Sequence, residues 1–152
     1  MSSLSRRLLL AGLPALLVTR PALAATPEIE VWKMRACGCC AAWARHLEAA
    51  GLAGAVVHEV DDVAPIRVAA GVPEDLGSCH TSKIAGYVVE GHVPAAAVRR
   101  LLGERPAILG LAVPGMPLGS PGMEVEGEPA EPFDVIAFAA DGRRSVFMAV
   151  RP

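Results

Sequence analysis

Hydrophobic positions repeat along this chain with two periods, and their alternation predicts an α/β fold. Three segments carry the alternating or β-rich patterns of strands: residues 28–34, 55–60 and 84–91. Three others repeat apolar residues at helical spacing, with a glycine or a proline near one end: residues 40–52, 62–71 and 94–106. Strands and helices are therefore expected to alternate up to residue 106.

The rest of the chain has a different pattern. Residues 110–132 are rich in glycine and proline, lack any period and exceed the usual loop length, which is typical of functional or disordered loops. Residues 133–150 form two β-rich runs around Asp141-Gly142, a strong hairpin signal. This order of elements predicts a thioredoxin-like α/β fold, with a central mixed sheet flanked by helices and a C-terminal β-hairpin.

The N-terminus has the pattern of a secretory signal peptide. Arg6 and Arg7 precede an apolar run over residues 8–18, and Ala22-Leu23-Ala24 provides a small-residue cleavage site. The run is too short for a membrane span, which needs about 20 residues. We expect the chain to be exported by either the Sec or the twin-arginine route and residues 1–24 to be cleaved off. Residues 25–152 are then expected to form one exported domain without a membrane span.

The charge of the mature chain argues against nucleic acid as a partner. The full chain carries a net charge of −2. Removing residues 1–24 takes away three arginines and no acidic residue, so the mature chain is more acidic. Nucleic-acid-binding domains are instead strongly basic.

Three of the four cysteines lie within four positions, in the turn between the first strand and the first helix. Cys37 and Cys40 form a C-x-x-C pair at the helix start, and Cys39 lies between them. A helix N-terminus favours thiolate over thiol. Cys79 precedes the predicted third strand, where a thioredoxin-like chain passes opposite this turn, so all four sulfurs are expected to converge.

The spacing of these cysteines suggests a site for more than one metal ion. Successive helical residues are rotated by about 100°, so we expect Cys39 and Cys40 to face two ions rather than one. Two methionines in matching Pro-Gly-Met sequences, Met116 and Met123, could add thioethers, and thiolate and thioether ligands together select Cu(I). His80 and His92 are further candidate ligands, since each lies beside a candidate site segment.

Four sequence blocks resemble one family over nearly the whole mature chain. They are VWKMRACGCCAAWARHLEAAG, LGSCHT, GYVVEGHVP and LAVPGMPLGSPGM. Together they resemble the domain of unknown function 411 family, which includes periplasmic CopG-type copper-resistance proteins. The resemblance implies a thioredoxin-like domain that binds Cu(I), with Cys37, Cys39, Cys40 and Cys79 as thiolate ligands. His80, His92, Met116 and Met123 match family blocks as secondary ligands.

The leading hypothesis is an exported periplasmic Cu(I)-binding protein for copper resistance, with a multicopper thiolate cluster and Cu(II)/Cu(I) redox chemistry. A periplasmic copper exporter or chaperone is its expected partner. The alternative is a thioredoxin-like thiol-disulfide oxidoreductase that uses Cys37 and Cys40. Four cysteines could also hold zinc or form two disulfides, although adjacent Cys39 and Cys40 fit both arrangements poorly. Whether the protein is an enzyme is left open at this point.

Overall fold

The structure is a computed structural model that describes residues 28–52 and 54–152. The predicted signal peptide, residues 1–24, lies outside the described residues. None of the helices in the described part of the chain is long and apolar enough to cross a membrane.

Seven strands and three α-helices make up the described fold. The strands are β1 (Ile29–Met34), β2 (Ala55–Val60), β3 (His80–Ile84), β4 (Tyr87–Glu90), β5 (Gly110–Ala112), β6 (Phe133–Phe138) and β7 (Arg144–Val150). The helices are α1 (Gly38–Ala49), α2 (Ala64–Ala69) and α3 (Ala95–Glu104), and a short 3-10 helix covers Glu74–Leu76.

The strands form one mixed sheet in the order β2-β1-β3-β4-β5-β6-β7. The pairs β1–β2 and β4–β5 are parallel, and the other four pairs are antiparallel. The α/β class, the mixed sheet and the C-terminal hairpin of β6 and β7 are therefore confirmed, whereas the thioredoxin-like assignment stays a prediction.

Apolar side chains pack on both faces of the sheet. Consecutive residues of a strand point to opposite faces, and Val88 and Val89 of β4 belong to different clusters. Val89 packs with Trp43 and Leu47 of α1 and with residues of α3. Val88 packs with Ala70 at the end of α2 and with residues near the 3-10 helix. The larger cluster, below α1, anchors the helix whose first turn carries the cysteines.

The sequence patterns missed two strands. Residues 84–91 were expected to form one strand, but the chain forms the hairpin of β3 and β4 there, and β3 begins at His80 within an expected loop. His80, Thr81 and Ser82 are buried polar residues, so no apolar pattern marks them. The other missed strand, β5, has only three residues and lies at the start of the Gly- and Pro-rich segment.

Strand pairing brings three separate parts of the chain to one end of the sheet. Lys33, near the end of β1, pairs with His80 at the start of β3. The end of β4 also lies there, because Thr81 pairs with Glu90 and the Gly91 N–H donates to the His80 carbonyl at 3.0 Å. The cysteine turn, Cys79 and His92 consequently meet at this end.

Candidate metal centre

A short turn connects β1 to α1 and is tied to the strand by backbone contacts. The Cys37 N–H donates to the Met34 carbonyl at 3.0 Å. The buried Lys33 ammonium donates to the carbonyls of Met34 and Arg35, at 3.2 and 3.3 Å, and pairs with Glu59 at 3.2 Å. Cys37 is the N-cap of α1, and its side chain makes no capping hydrogen bond. The thiols therefore stand at an anchored helix start.

The sulfur atoms of all four cysteines lie within 4.8 Å of one another. The Sγ atom of Cys39 is 3.5 Å from that of Cys37 and 4.0 Å from that of Cys79. Cys40 Sγ is 3.6 Å from Cys79 Sγ. The prediction that Cys79 lies close to the CGCC turn is thus confirmed.

The sulfurs of both Cys39 and Cys40 approach Cys79, and the expectation that these two cysteines face two ions stays a prediction. Both residues belong to the first turn of α1, which begins at Gly38 rather than at Cys40. Side chains of a helix lean toward its N-terminus, so those of the first turn gather beyond the helix end. The rotation between successive residues does not separate them there.

Cys37 and Cys40 are joined by a disulfide, with a Cα–Cα distance of 5.5 Å. Cys39 and Cys79 are free thiols. The site can therefore exist with two free sulfurs or, after reduction of the disulfide, with four.

Two buried histidines extend the site on the side of Cys79. His92 Nε2 is 2.8 Å from Cys79 Sγ, and His80 Nδ1 is 3.7 Å from the same sulfur. His92 Nδ1 lies 2.8 Å from the Pro121 carbonyl. Because a carbonyl only accepts, Nδ1 carries the proton and Nε2 presents its lone pair to Cys79. Cys79, His80 and His92 form a second group of potential ligands that shares Cys79 with the first.

Burial controls the protonation of this part of the site. It lowers the pKa of His80 to about 3, with smaller contributions from His92 and Arg67, and it also lowers the pKa of His92. Both imidazoles are therefore neutral at neutral pH, the form that binds metals. Burial raises the pKa of the Cys79 thiol to about 12, and neighbouring Cys39 adds to the rise. Without a metal, Cys79 is accordingly a protonated thiol.

The Gly- and Pro-rich segment packs against the site. A Cβ atom at Gly122 would lie 2.6 Å from the Cys39 carbonyl oxygen, so the loop touches the first turn of α1 directly. Met123 is half-buried, and Met116 exposes 53% of its surface. The loop thus reaches the cysteines, whereas the role of the two thioethers stays a prediction.

Sequence reasoning missed a buried ion pair next to Cys79. Glu90 is fully buried, and its carboxylate accepts from Arg67 Nε at 2.7 Å, the Ser78 N–H at 2.7 Å and the Thr81 hydroxyl at 2.6 Å. Arg67 also donates to the Ser78 carbonyl. The available signal in the sequence was a single acidic residue, Glu90, at the end of the apolar run YVVE. An acidic residue buried in such a strand is rarely found without a partner, so this position indicates an ion pair.

The donor atoms of the site fit a soft cation. Four sulfurs and two neutral imidazoles offer soft or intermediate ligands. His80 Nε2 is buried and has no hydrogen-bond partner among the described residues, which is costly unless something binds it. Arg35, the basic residue nearest to the cysteine turn in sequence, already pairs with Asp61 at 3.0 Å. A bound cation would therefore supply the positive charge that multiple thiolates need.

Comparison with known proteins identifies relatives of this chain. A family described as "Protein of unknown function, DUF411" matches residues 76–123, which contain Cys79, both site histidines and both loop methionines. Two solved structures, "Copper resistance protein copG" forms 1 and 2, are each 42% identical to the chain, with TM-scores of 0.75 and 0.76. Each comparison covers 82% of this chain and 98% of the solved one. No match was found among curated proteins. The chain therefore belongs to the DUF411 family of CopG-type proteins.

Proposed function

We propose that this protein is an exported, periplasmic protein that binds Cu(I) and serves copper resistance. Copper is its cargo, held by the thiolates of Cys37, Cys39, Cys40 and Cys79. The single observation that carries the proposal is that all four sulfurs lie within 4.8 Å of one another. The copper-resistance names of the two related structures support the choice of metal.

The geometry favours more than one Cu(I) per chain. Cys79 lies in both groups of potential ligands, one with the other cysteines and one with His80 and His92. A thiolate sulfur has several lone pairs and can bridge two ions, so the two groups can act as one cluster. Thioethers are soft Cu(I) ligands as well, and we assign Met116 and Met123 to the same cargo as secondary ligands.

Copper redox chemistry is the stronger form of this proposal. Two Cu(II) ions can take one electron each from the thiols of Cys37 and Cys40. The products are two Cu(I) ions, one disulfide and two protons. The Cys37–Cys40 bridge is the oxidised product of this reaction. Cys39 and Cys79 would then remain as thiols that can keep hold of Cu(I).

The proposal is tested by anaerobic titration of the reduced mature protein with Cu(I) against a competing chelator, with native mass spectrometry for stoichiometry. We expect at least two tightly held Cu(I) per chain. Cys39→Ala should lower this number, because Cys39 lies between Cys37 and Cys79. Unchanged stoichiometry in Cys39→Ala would count against a cluster. A parallel titration with Zn(II) tests the tetrahedral alternative, which requires one ion and no preference for Cu(I).

A thiol-disulfide oxidoreductase is the second candidate function, and the Cys37–Cys40 disulfide favours it. In this hypothesis the Cys37 thiolate attacks a substrate disulfide, and Cys40 resolves the mixed disulfide that forms. Activity toward a disulfide substrate should then survive the Cys39→Ala and Cys79→Ser substitutions. If those substitutions abolish Cu(I) binding and no disulfide reductase activity is measured in the parent protein, the second candidate is excluded.

Export and transfer complete the proposal. A periplasmic location predicts that the mature protein begins near Ala25, which N-terminal sequencing of the periplasmic fraction checks. A copper exporter or chaperone is the proposed partner, and exposed Met116 is where a transferred ion would first meet a soft ligand.

A further inference from the structure

Ser78, the residue just before Cys79, is hydrogen-bonded through its backbone and its side chain. The Ser78 N–H donates to the Glu90 carboxylate at 2.7 Å, and the Ser78 carbonyl accepts from Arg67. The Ser78 hydroxyl donates to the Gly115 carbonyl. All polar groups of Ser78 are thus bonded to three other segments: α2, β4 and the Gly- and Pro-rich loop.

Gly91 closes this arrangement from the side of β4. Its φ is +70°, and a Cβ atom there would lie 2.5 Å from the Ser78 Cβ and 2.7 Å from the Val113 carbonyl oxygen. A side chain at this position would have to push Ser78 or the loop away. Glycine is therefore required for both its backbone conformation and its close approach.

The ion pair is poorly explained as a contribution to the core. Helix α2 has no buried residue, and its Arg67 forms the ion pair with Glu90. A buried ion pair is often no better for stability than apolar side chains of similar size. Its specific contribution here is two hydrogen bonds to one residue, at the N–H and the C=O of Ser78.

We propose that Arg67, Glu90 and Gly91 are positioning residues, which direct the Cys79 sulfur toward the other cysteines and His92 by holding Ser78 in place. Among the described residues, the Cys79 backbone makes no hydrogen bond to β4 or to Gly91 after it, whereas both neighbours of Cys79 do: Ser78 with Glu90, and His80 with the Gly91 N–H. Fixing the residues on both sides fixes the side chain between them. The copper readout below rests on the proposed function, but the positioning itself does not.

The test compares Gly91→Ala with Gly86→Ala. Both glycines have positive φ, +70° and +88°, but nothing lies within 4 Å of a Cβ at Gly86. The backbone cost is therefore matched, and only Gly91→Ala displaces Ser78. In the reduced, metal-free protein, iodoacetamide alkylation of Cys79 relative to Cys39 is measured by peptide mass spectrometry. We expect a several-fold change of this ratio in Gly91→Ala and none in Gly86→Ala, because general loosening would affect both cysteines alike.

The second readout is Cu(I) affinity by chelator competition. Loss of groups that orient metal ligands typically costs 10- to 100-fold, so Gly91→Ala should bind Cu(I) at least about tenfold more weakly than Gly86→Ala. If Gly91→Ala does not fold, Arg67→Lys replaces it, since lysine keeps the charge but has one nitrogen where arginine uses two, Nε for Glu90 and a terminal nitrogen for Ser78. Its control is Arg100→Lys, in the exposed Arg100–Glu104 pair.

The outcomes separate the two proposals. An unchanged alkylation ratio overturns the positioning role. A changed ratio with Cu(I) affinity equal to that of the control overturns the claim that this positioning serves copper binding. If the parent protein and both controls bind no Cu(I), the proposed function fails, and the alkylation ratio alone still decides whether these residues position Cys79.

Discussion

Cys79 links the two groups of potential ligands, because its sulfur is 3.6 Å from Cys40 Sγ and 2.8 Å from His92 Nε2. Burial raises the pKa of its thiol to about 12, so at neutral pH the free protein holds a proton that copper must displace. Binding affinity should therefore rise with pH, by about tenfold per unit for each thiol proton released.

Measuring Cu(I) affinity between pH 6 and 8 checks this expectation. We expect the logarithm of the association constant to increase by at least about one per pH unit, and the slope to fall by about one in Cys79→Ser, since a serine hydroxyl keeps its proton. A pH-independent affinity would mean that the thiol is already ionised in the free protein.

His92 lends itself to a paired substitution. Its Nδ1 proton is donated to Pro121, and its Nε2 lone pair is directed at Cys79. His92→Gln should lower Cu(I) affinity by on the order of 10- to 100-fold, because the imidazole either binds the metal or orients its thiolate. His58→Gln is the control, since His58 stacks on Trp32 at 5.0 Å in the first two strands. Equal Cu(I) affinities of the two variants would show that His92 has no part in the metal site.

At the scale of residues, sequence patterns identified the candidate ligands that the structure brings together but not the ion pair that contacts the residue before Cys79. Cysteine clustering and soft-ligand chemistry are local properties, so the structure brings together the four predicted cysteines and two predicted histidines. The roles of Glu90 and Arg67 depend on contacts across 12 and 11 residues to Ser78. No spacing rule connects an acidic residue in an apolar strand with such partners.

At the scale of elements, the contact between the Gly- and Pro-rich loop and α1 depends on Gly122. A Cβ atom there would lie 2.6 Å from the Cys39 carbonyl oxygen and 2.9 Å from the Trp43 nitrogen, at a φ of +88°. Gly122→Ala should therefore push the loop off the first helical turn. Overpacking of this kind costs about 1 to 3 kcal/mol beyond the backbone strain.

Gly127→Ala is the matched control for this substitution, since Gly127 has a φ of +85° with nothing within 4 Å of a Cβ. Urea unfolding measures the free energy of unfolding of both variants. We expect Gly122→Ala to be the less stable by about 1 to 3 kcal/mol, and limited proteolysis to cut its loop faster. Identical stability and cleavage would show that the loop does not depend on close packing against α1.

The strands that escaped sequence analysis show what positions the site. Long amphipathic elements such as α1 and α3 have a periodic apolar face, so their presence follows from the sequence. By contrast, β3 is held between β1 and β4 by backbone pairing, and three of its buried residues, His80, Thr81 and Ser82, are polar. No apolar pattern marks this strand, whose first residue, His80, belongs to the candidate site and whose Thr81 donates to the buried Glu90.

At the scale of the whole molecule, the site joins segments that are distant in sequence. Cys40 and Cys79 are 39 residues apart, and Cys79 and His92 are 13 apart. Only the folded chain brings them together, whereas Cys37, Cys39 and Cys40 stay close even when the chain is unfolded. A ligand that binds both states equally does not stabilise the fold.

This difference predicts how copper affects stability. In the reduced protein, Cu(I) should raise the midpoint of thermal unfolding, because the complete site exists only in the folded state. A free-metal level of 100 Kd corresponds to about 2.7 kcal/mol, which is on the order of 10 °C for a domain of this size. The Cys79→Ser variant keeps the three local thiols and should gain much less, because its unfolded chain binds copper nearly as well.

Scanning calorimetry under anaerobic conditions, with and without Cu(I), provides the measurement for both proteins. Comparing the copper-induced shifts cancels any loss of stability caused by the substitution itself. A shift in Cys79→Ser as large as in the parent protein would place the bound copper on the CGCC turn alone. The convergence of Cys79 and His92 would then have no part in holding the metal, whereas a large difference makes the fold of the sheet itself a requirement for the copper site.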